Sequence, residues 1–189
     1  MSSRDTILVP SAVFTVLAVF FTLGYLLTIW LGIPQQFGFP LPVRLIGVVL
    51  LLSGFILLGW LLRYRRPRDI LVSAYVTFSK VRRERTRLEE RSGRTEPLIV
   101  KGPYRYVRHP LYSDVVLLLL GWWLLLDYSF LLISALLLLL WFDFVVTRFE
   151  ERELGAIFGD DYEEYSRRVP RIVPFTSELR KLLGRLGTL

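Results

Sequence analysis

LIGVVLLLSGFILLGWLL, residues 45–62, runs for its whole length without a charged side chain. Crossing a hydrocarbon core of about 30 Å takes roughly 20 apolar residues in a helix. A second charge-free run extends from Thr6 to Val43, so two spanning helices are expected, roughly Ile7–Leu31 and Val43–Leu62. The link IPQQFGFPLP, residues 33–42, is rich in Pro and Gly, as a short turn between helices requires. A cleaved leader is the competing reading of the N-terminus. The apolar run is too long for one, starts nearly neutral at Arg4–Asp5, and is followed by no small-residue cleavage site.

Working outward, a further apolar block runs from Leu111 to Phe149 and breaks at Asp127-Tyr128-Ser129. Leu111–Leu126 is short, about 24 Å at about 1.5 Å per residue, and Phe130–Phe149 is full length. A tight hairpin turning at Asp127–Ser129 is expected, its first helix starting at Pro110. The fold class is therefore all-α: a polytopic membrane protein of about four transmembrane helices, with an amphipathic cytoplasmic connector and a C-terminal cytoplasmic helical segment. Two units are expected: residues 1–95, the N-terminal hairpin and connector, and residues 96–189, the functional core.

Charge sets the expected orientation. Of the 24 Lys and Arg residues, 14 lie between Arg63 and Arg108 and eight more from Arg148 onward, while the first link and the Asp127 turn hold none. Positive charge stays on the cytoplasmic side, which puts both termini, residues 63–108 and the active site on the cytoplasmic face of the cell or inner membrane. The net charge of +7 and pI near 10.0 thus read mainly as topology, and no nucleic-acid-reading motif is present. With no Cys and one His, disulfides and thiolate metal sites are excluded and no metal site is expected.

Residues 64–95 carry Leu71, Ala74, Tyr75, Phe78 and Val81 at helical spacing before the charged stretch Arg82–Arg91, as in a helix lying on an anionic leaflet. A solvated connector is the plainer alternative. In the tail, Asp160 can cap a helix with Glu163 as its capping-box partner. Phe158, Tyr162, Tyr165 and Val169 follow on one face, a stripe that needs a packing partner. Residues 101–112 are the candidate.

Three carboxylates fall where hydrocarbon or its edge is expected: Asp114, Asp143 and Glu150. Seven residues make almost two turns, so Asp143 and Glu150 are expected to share a face with Thr147 between them. Intramembrane carboxylates default to functional roles with an internal partner; internal pairing of Asp143 to Arg148 or another base is the structural alternative. GPYRYVRHPLY (102–112) and EERELGAIFGDDYEEYSRRVPR (150–171) abut the same hairpin end. One supplies imidazole, guanidinium and phenols; the other supplies carboxylates, phenols and Arg167, Arg168 and Arg171. Together they could hold a polar, zwitterionic ligand at the water side of a pocket open to lipid.

These segments resemble the isoprenylcysteine carboxyl methyltransferase family and related phospholipid methyltransferases. The resemblance rests on G-x-Y-x-x-x-R-H-P-x-Y (Gly102, Tyr104, Arg108, His109, Pro110, Tyr112) and E-E-x-x-L (Glu150, Glu151, Leu154). F-G-x-x-Y-x-x-Y (Phe158, Gly159, Tyr162, Tyr165) and R-V-P (Arg168, Val169, Pro170) complete it. It implies S-adenosyl-L-methionine as methyl donor, with Gly102, Tyr104, Tyr106, His109, Pro110, Tyr112, Glu150, Glu151, Tyr162 and Tyr165 at the cofactor site. It further implies that Arg108 and Arg168 face the acceptor and that Glu150 joins them in catalysis. Neighbours at a helix start, Arg108 and His109 are expected to point in different directions. One departure stands out: relatives usually carry Gly where this chain has Asp114.

The implied function is a membrane methyltransferase acting on a lipidic acceptor, most like a prenylcysteine α-carboxylate, which needs no base. A phospholipid amine is the alternative, and its proton could go to Asp114, Asp143 or Glu150. Two other classes compete: a membrane reductase, for which no Gly-rich dinucleotide fingerprint is present, and a non-catalytic protein that binds anionic membrane lipids through its basic loop. The oligomeric state is not expressed in the sequence.

Overall fold

The computed structural model describes residues 3–65 and 98–173. Among them all regular structure is helical: α1 (Ser3–Trp30), α2 (Leu41–Leu62), a 3-10 turn (Gly102–Arg105), α3 (Pro110–Leu126), α4 (Ser129–Trp141), α5 (Thr147–Phe158) and α6 (Asp160–Arg168). Between α4 and α5 the helix passes without a break through a π turn, Phe142–Val146. Three stretches, Val13–Trp30, Leu41–Leu62 and Ser129–Phe158, are long and apolar enough to cross a membrane, and Pro110–Leu126 is a shorter apolar helix. The expected connector helix and the boundary near residue 95 lie outside the described residues.

The helices pair across the two hairpins: α2 lies along α3, and α1 along α4, while α3 and α4 form the central hairpin. Where α2 meets α3 the backbones nearly touch. A Cβ added at Gly47 would lie 2.7 Å from Leu125 N and 2.8 Å from Gly121 O, so only hydrogen fits there. The outward faces of α1 and α2 expose Phe14, Leu26, Trp30, Leu45, Val49, Phe55 and Ile56. Such a surface is stable against lipid tails and costly against water. Its hydroxyls turn inward to the helix backbone, as hydrocarbon demands: Thr15 to Ser11 O, Thr22 to Ala18 O and Ser53 to Val49 O.

At one end of the bundle the two turns are stapled together. Asp127 closes α3 in the left-handed region (φ 61°), and its carboxylate accepts the backbone N–H groups of Phe37 (3.0 Å), Gly38 (2.6 Å) and Phe39 (2.9 Å). Ser129 adds its N–H to Gln35 O at 3.0 Å and its hydroxyl to Pro34 O. The first link is thus docked on the second turn, which leaves the opposite end of the bundle for the polar groups.

Candidate functional site

Pro110 sits at the first position of α3, where its fixed φ and missing N–H cost nothing. That puts His109 at the N-cap with φ −123° and ψ 66°, so its ring turns back over the helix end instead of continuing the spiral. The ring stacks on Tyr112 at 5.7 Å, and Tyr112 stacks on Phe142 of the π turn at 4.5 Å. This aromatic column carries the imidazole onto α5. His109 Nδ1 is 3.1 Å from Glu150 Oε2, and Tyr112 Oη donates to Glu150 Oε1 at 2.9 Å.

Glu151, the next residue, is shared. Its Oε1 is 2.8 Å from Arg108 Nη1 and 3.5 Å from His109 Nε2, and its Oε2 accepts Arg171 Nε at 2.9 Å. The cluster is buried: His109, Glu150, Glu151 and Arg108 side chains are 5–12% exposed. Burial alone would lower the His109 pKa, but the hydrogen bonds and charges of Glu150 and Glu151 outweigh it and hold the imidazole above its ordinary value.

The C-terminal strap closes the cluster. Backbone N–H groups of Arg108 and His109 donate to Pro170 O (2.8 Å) and Arg171 O (2.9 Å), and the Ser113 hydroxyl donates to Ile172 O. The Tyr165 hydroxyl donates to Tyr104 O at 2.6 Å, and Tyr162 packs beneath it, 4% exposed. Two residues of the expected stripe, Tyr165 by its bond to Tyr104 and Tyr162 beside Arg108, thus meet residues 101–112. Burial raises the phenol pKa of Tyr162, to about 12, and that of Tyr165, so both stay neutral donors at any physiological pH.

Several expectations change here. Arg108 and His109 converge on Glu151 instead of diverging, because the α5 carboxylate pair offers an oxygen to each. Arg168 stands on the outer face of α6, 73% exposed and paired with Glu164 one turn back, away from the cluster. Arg171, three residues on, takes the inward position. Tyr106 is 55% exposed and lies by Trp60, at 6.0 Å between rings, not by the carboxylates. Gly102 serves packing: at φ 62°, a Cβ would fall 2.4 Å from the Tyr64 ring. Tyr104 meets the site through its backbone carbonyl.

Asp143 and Glu150 also reach different groups: Asp143 faces Arg171, and Glu150 faces His109 and Tyr112. The π turn between them inserts an extra residue into the helical period, so Asp143 aligns with Glu151, eight residues on. Arg171 links the two: Nε to Glu151, and Nη1 3.7 Å from Asp143 Oδ1. Arg148 instead lies over the Phe144 ring at 4.9 Å. The capping box also fails, since Gly159 at φ 53° caps α6 and Asp160 is its first residue, with no side-chain cap. Asp114 is buried on the α2 side of α3, near Gly54, and its Oδ1 has no hydrogen-bond partner among the described residues. It is apart from the cluster.

Four buried polar atoms in or beside the cluster lack a well-aligned hydrogen bond among the described residues: Arg108 Nε, His109 Nε2, Glu151 Oε1 and Tyr162 Oη. Buried atoms of this kind normally have partners, so they fit a ligand rich in both donors and acceptors. The carboxylate oxygens suit an ammonium or sulfonium; the guanidinium and phenol suit carboxylate or ribose oxygens. No group of His, Asp and Glu among the described residues could hold a metal ion.

Helices of this length and apolarity around a buried imidazole–carboxylate–guanidinium centre define a polytopic membrane protein with a buried polar cluster at one bundle end. Residues 43–161 match the family model "Phospholipid methyltransferase", and the chain belongs to that family. It is 33% identical over 122 residues to a protein-S-isoprenylcysteine O-methyltransferase of Schizosaccharomyces pombe, covering 64% of this chain and 47% of that one. It is 29% identical over 167 residues to a methanethiol S-methyltransferase of Crocosphaera subtropica, covering 83% and 59%. A protein-S-isoprenylcysteine O-methyltransferase B of Arabidopsis thaliana is 33% identical over 132 residues, covering 65% and 57%. The chain spans about half the length of the curated relatives it matches. No solved structure gives a significant match.

Proposed function

We propose that the protein is an integral-membrane methyltransferase that takes its methyl group from S-adenosylmethionine and passes it to a membrane-partitioned acceptor. The observation that carries this reading is the buried His109–Glu150–Glu151–Arg108 cluster with its unmatched polar atoms, in a chain of this family. The donor, when bound, supplies a methyl group on a positively charged sulfur. The carboxylates of Glu150 and Glu151 would hold its cationic groups, and Arg108 and Tyr162 its oxygens. The strap 170–172 excludes water from that side. Methyl transfer requires donor and acceptor in line at about 3–3.5 Å, so the chain's own contribution is positioning inside a dry site.

A prenylcysteine α-carboxylate is the acceptor class favoured first, being anionic already and soluble in the bilayer. A small thiol is the second reading, favoured because the S-methyltransferase match covers 83% of this chain. A phospholipid amine, suggested by the family's name, is the third. The test uses the purified protein with tritiated S-adenosylmethionine and N-acetyl-S-farnesylcysteine, methanethiol or phosphatidylethanolamine in parallel. Label in the first product is expected. Label in none, with no binding of S-adenosylhomocysteine, would dismiss the reading.

The site is read as cytoplasmic, because 22 of the 24 basic residues lie in the loop and tail that flank it. The chain has no native cysteine, so single cysteines can report sidedness. Cysteines at Gln36 or Tyr128 should be labelled by an impermeant maleimide from outside intact cells, and one at Ser92 protected. The reverse pattern would invert the topology.

A further inference from the structure

Both ring nitrogens of His109 face carboxylates: Nδ1 lies 3.1 Å from Glu150 and Nε2 3.5 Å from Glu151. A neutral imidazole has one N–H and one lone pair, so one nitrogen would turn a lone pair toward a negative oxygen in a buried site. Only the imidazolium suits both contacts. With it, the charges in direct contact among the described residues balance: Arg108, Arg171 and His109 against Glu150, Glu151 and Asp143. Tyr112 from α3 stacks on the ring, and Tyr162 from α6 faces the same carboxylates as a neutral phenol, its pKa raised by burial.

We propose that His109 is the proton-exchanging residue of the donor site, releasing its Nε2 proton when a cationic ligand takes up Glu151 and keeping it when the ligand is neutral. Nε2 is the nitrogen that gives way because its carboxylate contact is longer and poorly aligned, whereas Nδ1 remains on Glu150. The inference rests on the donor reading above. At neutral pH S-adenosylmethionine carries a sulfonium, an ammonium and a carboxylate, net positive; S-adenosylhomocysteine lacks the sulfonium and is net neutral. A balanced site would gain an unmatched charge with the first and none with the second, and low dielectric makes that charge costly. Release of one proton to solvent restores the balance. The device favours the charged donor over the spent one as pH rises, so turnover is itself a discharge signal for product release.

The sign of the pH dependence follows. Where His109 is protonated, binding of a cation expels a proton, so its affinity increases with pH and levels off once the imidazole is neutral. Affinity for a neutral ligand stays flat.

The test uses the full chain in detergent or nanodiscs with two non-reacting probes: sinefungin, which carries an amine cation in place of the sulfonium, and S-adenosylhomocysteine. Calorimetry in buffers of different ionisation heat reads the protons exchanged. About one proton should leave per sinefungin bound below the His109 pKa, with affinity rising up to about tenfold per pH unit, and about none per S-adenosylhomocysteine. Because His109 is the chain's single histidine, ring-labelled histidine gives one resonance in a tag-free protein. It should shift from imidazolium to the Nδ1–H tautomer with sinefungin and stay imidazolium with S-adenosylhomocysteine. Equal proton release for the two probes, or an imidazole whose charge ignores sinefungin, would overturn the proposal. Binding of neither probe would instead remove the donor reading, and this inference with it.

Discussion

Replacing Glu151 by Gln is expected to cost the protein both stability and donor affinity. One carboxylate there faces two guanidiniums and an imidazole, with Arg108 at 2.8 Å and Arg171 at 2.9 Å. Removing one partner of a buried ion pair typically costs about 3–5 kcal/mol, because the remaining charge stays buried. Arg171 is a third exposed and can turn to water, which places the loss toward the lower end. A charge-assisted hydrogen bond to the donor adds about 1.5–3 kcal/mol, or roughly 10- to 100-fold in affinity. The control is Glu163→Gln on α6, an exposed carboxylate paired with Arg167 on the helix surface. It should change neither the melting temperature nor S-adenosylhomocysteine binding measurably. If Glu151→Gln behaves like Glu163→Gln, the cluster does not hold the site together.

The second large effect lies far from the chemistry. Gly47 meets the backbone of α3, with Leu125 N and Gly121 O inside 3 Å of any added Cβ. A flexible side chain could step aside; a helix backbone cannot. Overpacking usually costs about 1–3 kcal/mol, and Gly47→Ala should fall at the upper end of that range. Gly47→Leu should give no monodisperse protein, since it would prise α2 from α3. Gly59, which faces open space on the same helix, is the internal comparison: Gly59→Leu should purify normally. Normal yield and melting of Gly47→Leu would show that α2 and α3 do not pack as described.

Much of this architecture is legible in the sequence. Charge-free runs locate α1 and α2 to within a few residues, and the polar triplet Asp127–Ser129 locates the hairpin turn. Part of the tail's aromatic stripe also finds its partner, with Tyr165 bonded to Tyr104. What escapes is what a uniform helical period hides. The π turn at Phe142–Val146 reads FDFVV, four apolar residues around Asp143, and nothing in that string announces the extra residue. Its effect is nevertheless decisive, because it trades Glu150 for Glu151 as the residue aligned with Asp143. Arg168 and Arg171 are a second such case. The first continues α6 and points outward; the second follows Pro170, where the chain leaves the helix and crosses the start of α3. Only the backbone bonds from Arg108 and His109 to residues 170 and 171 settle which guanidinium turns inward. Asp127 is a third: its role as acceptor for three N–H groups of the distant first link depends on a contact some 90 residues away.

The same geometry explains why one short motif holds so many polar residues beside a hydrophobic helix. Pro110 starts α3, the His109 ring stacks on Tyr112, and the Tyr112 hydroxyl braces Glu150. Among the described residues, most polar atoms of the motif are bonded to the carboxylates or to the strap, and Arg108 Nε, His109 Nε2, Glu151 Oε1 and Tyr162 Oη lack a well-aligned hydrogen bond. An intramembrane edge tolerates such a cluster only when its charges are matched, which is why the donor's own charge should be felt by the imidazole.

Equilibrium binding of tritiated S-adenosylmethionine to the purified protein, with His109→Ala and Arg168→Ala beside the wild type, tests the central claim most directly. The account predicts one site per chain, affinity reduced at least about tenfold in His109→Ala when compared above the His109 pKa, where the neutral wild-type ring still holds Glu150 through Nδ1, and affinity unchanged in Arg168→Ala, with both variants still folded by circular dichroism. No binding to the wild type, or equal losses in the two variants, would contradict it.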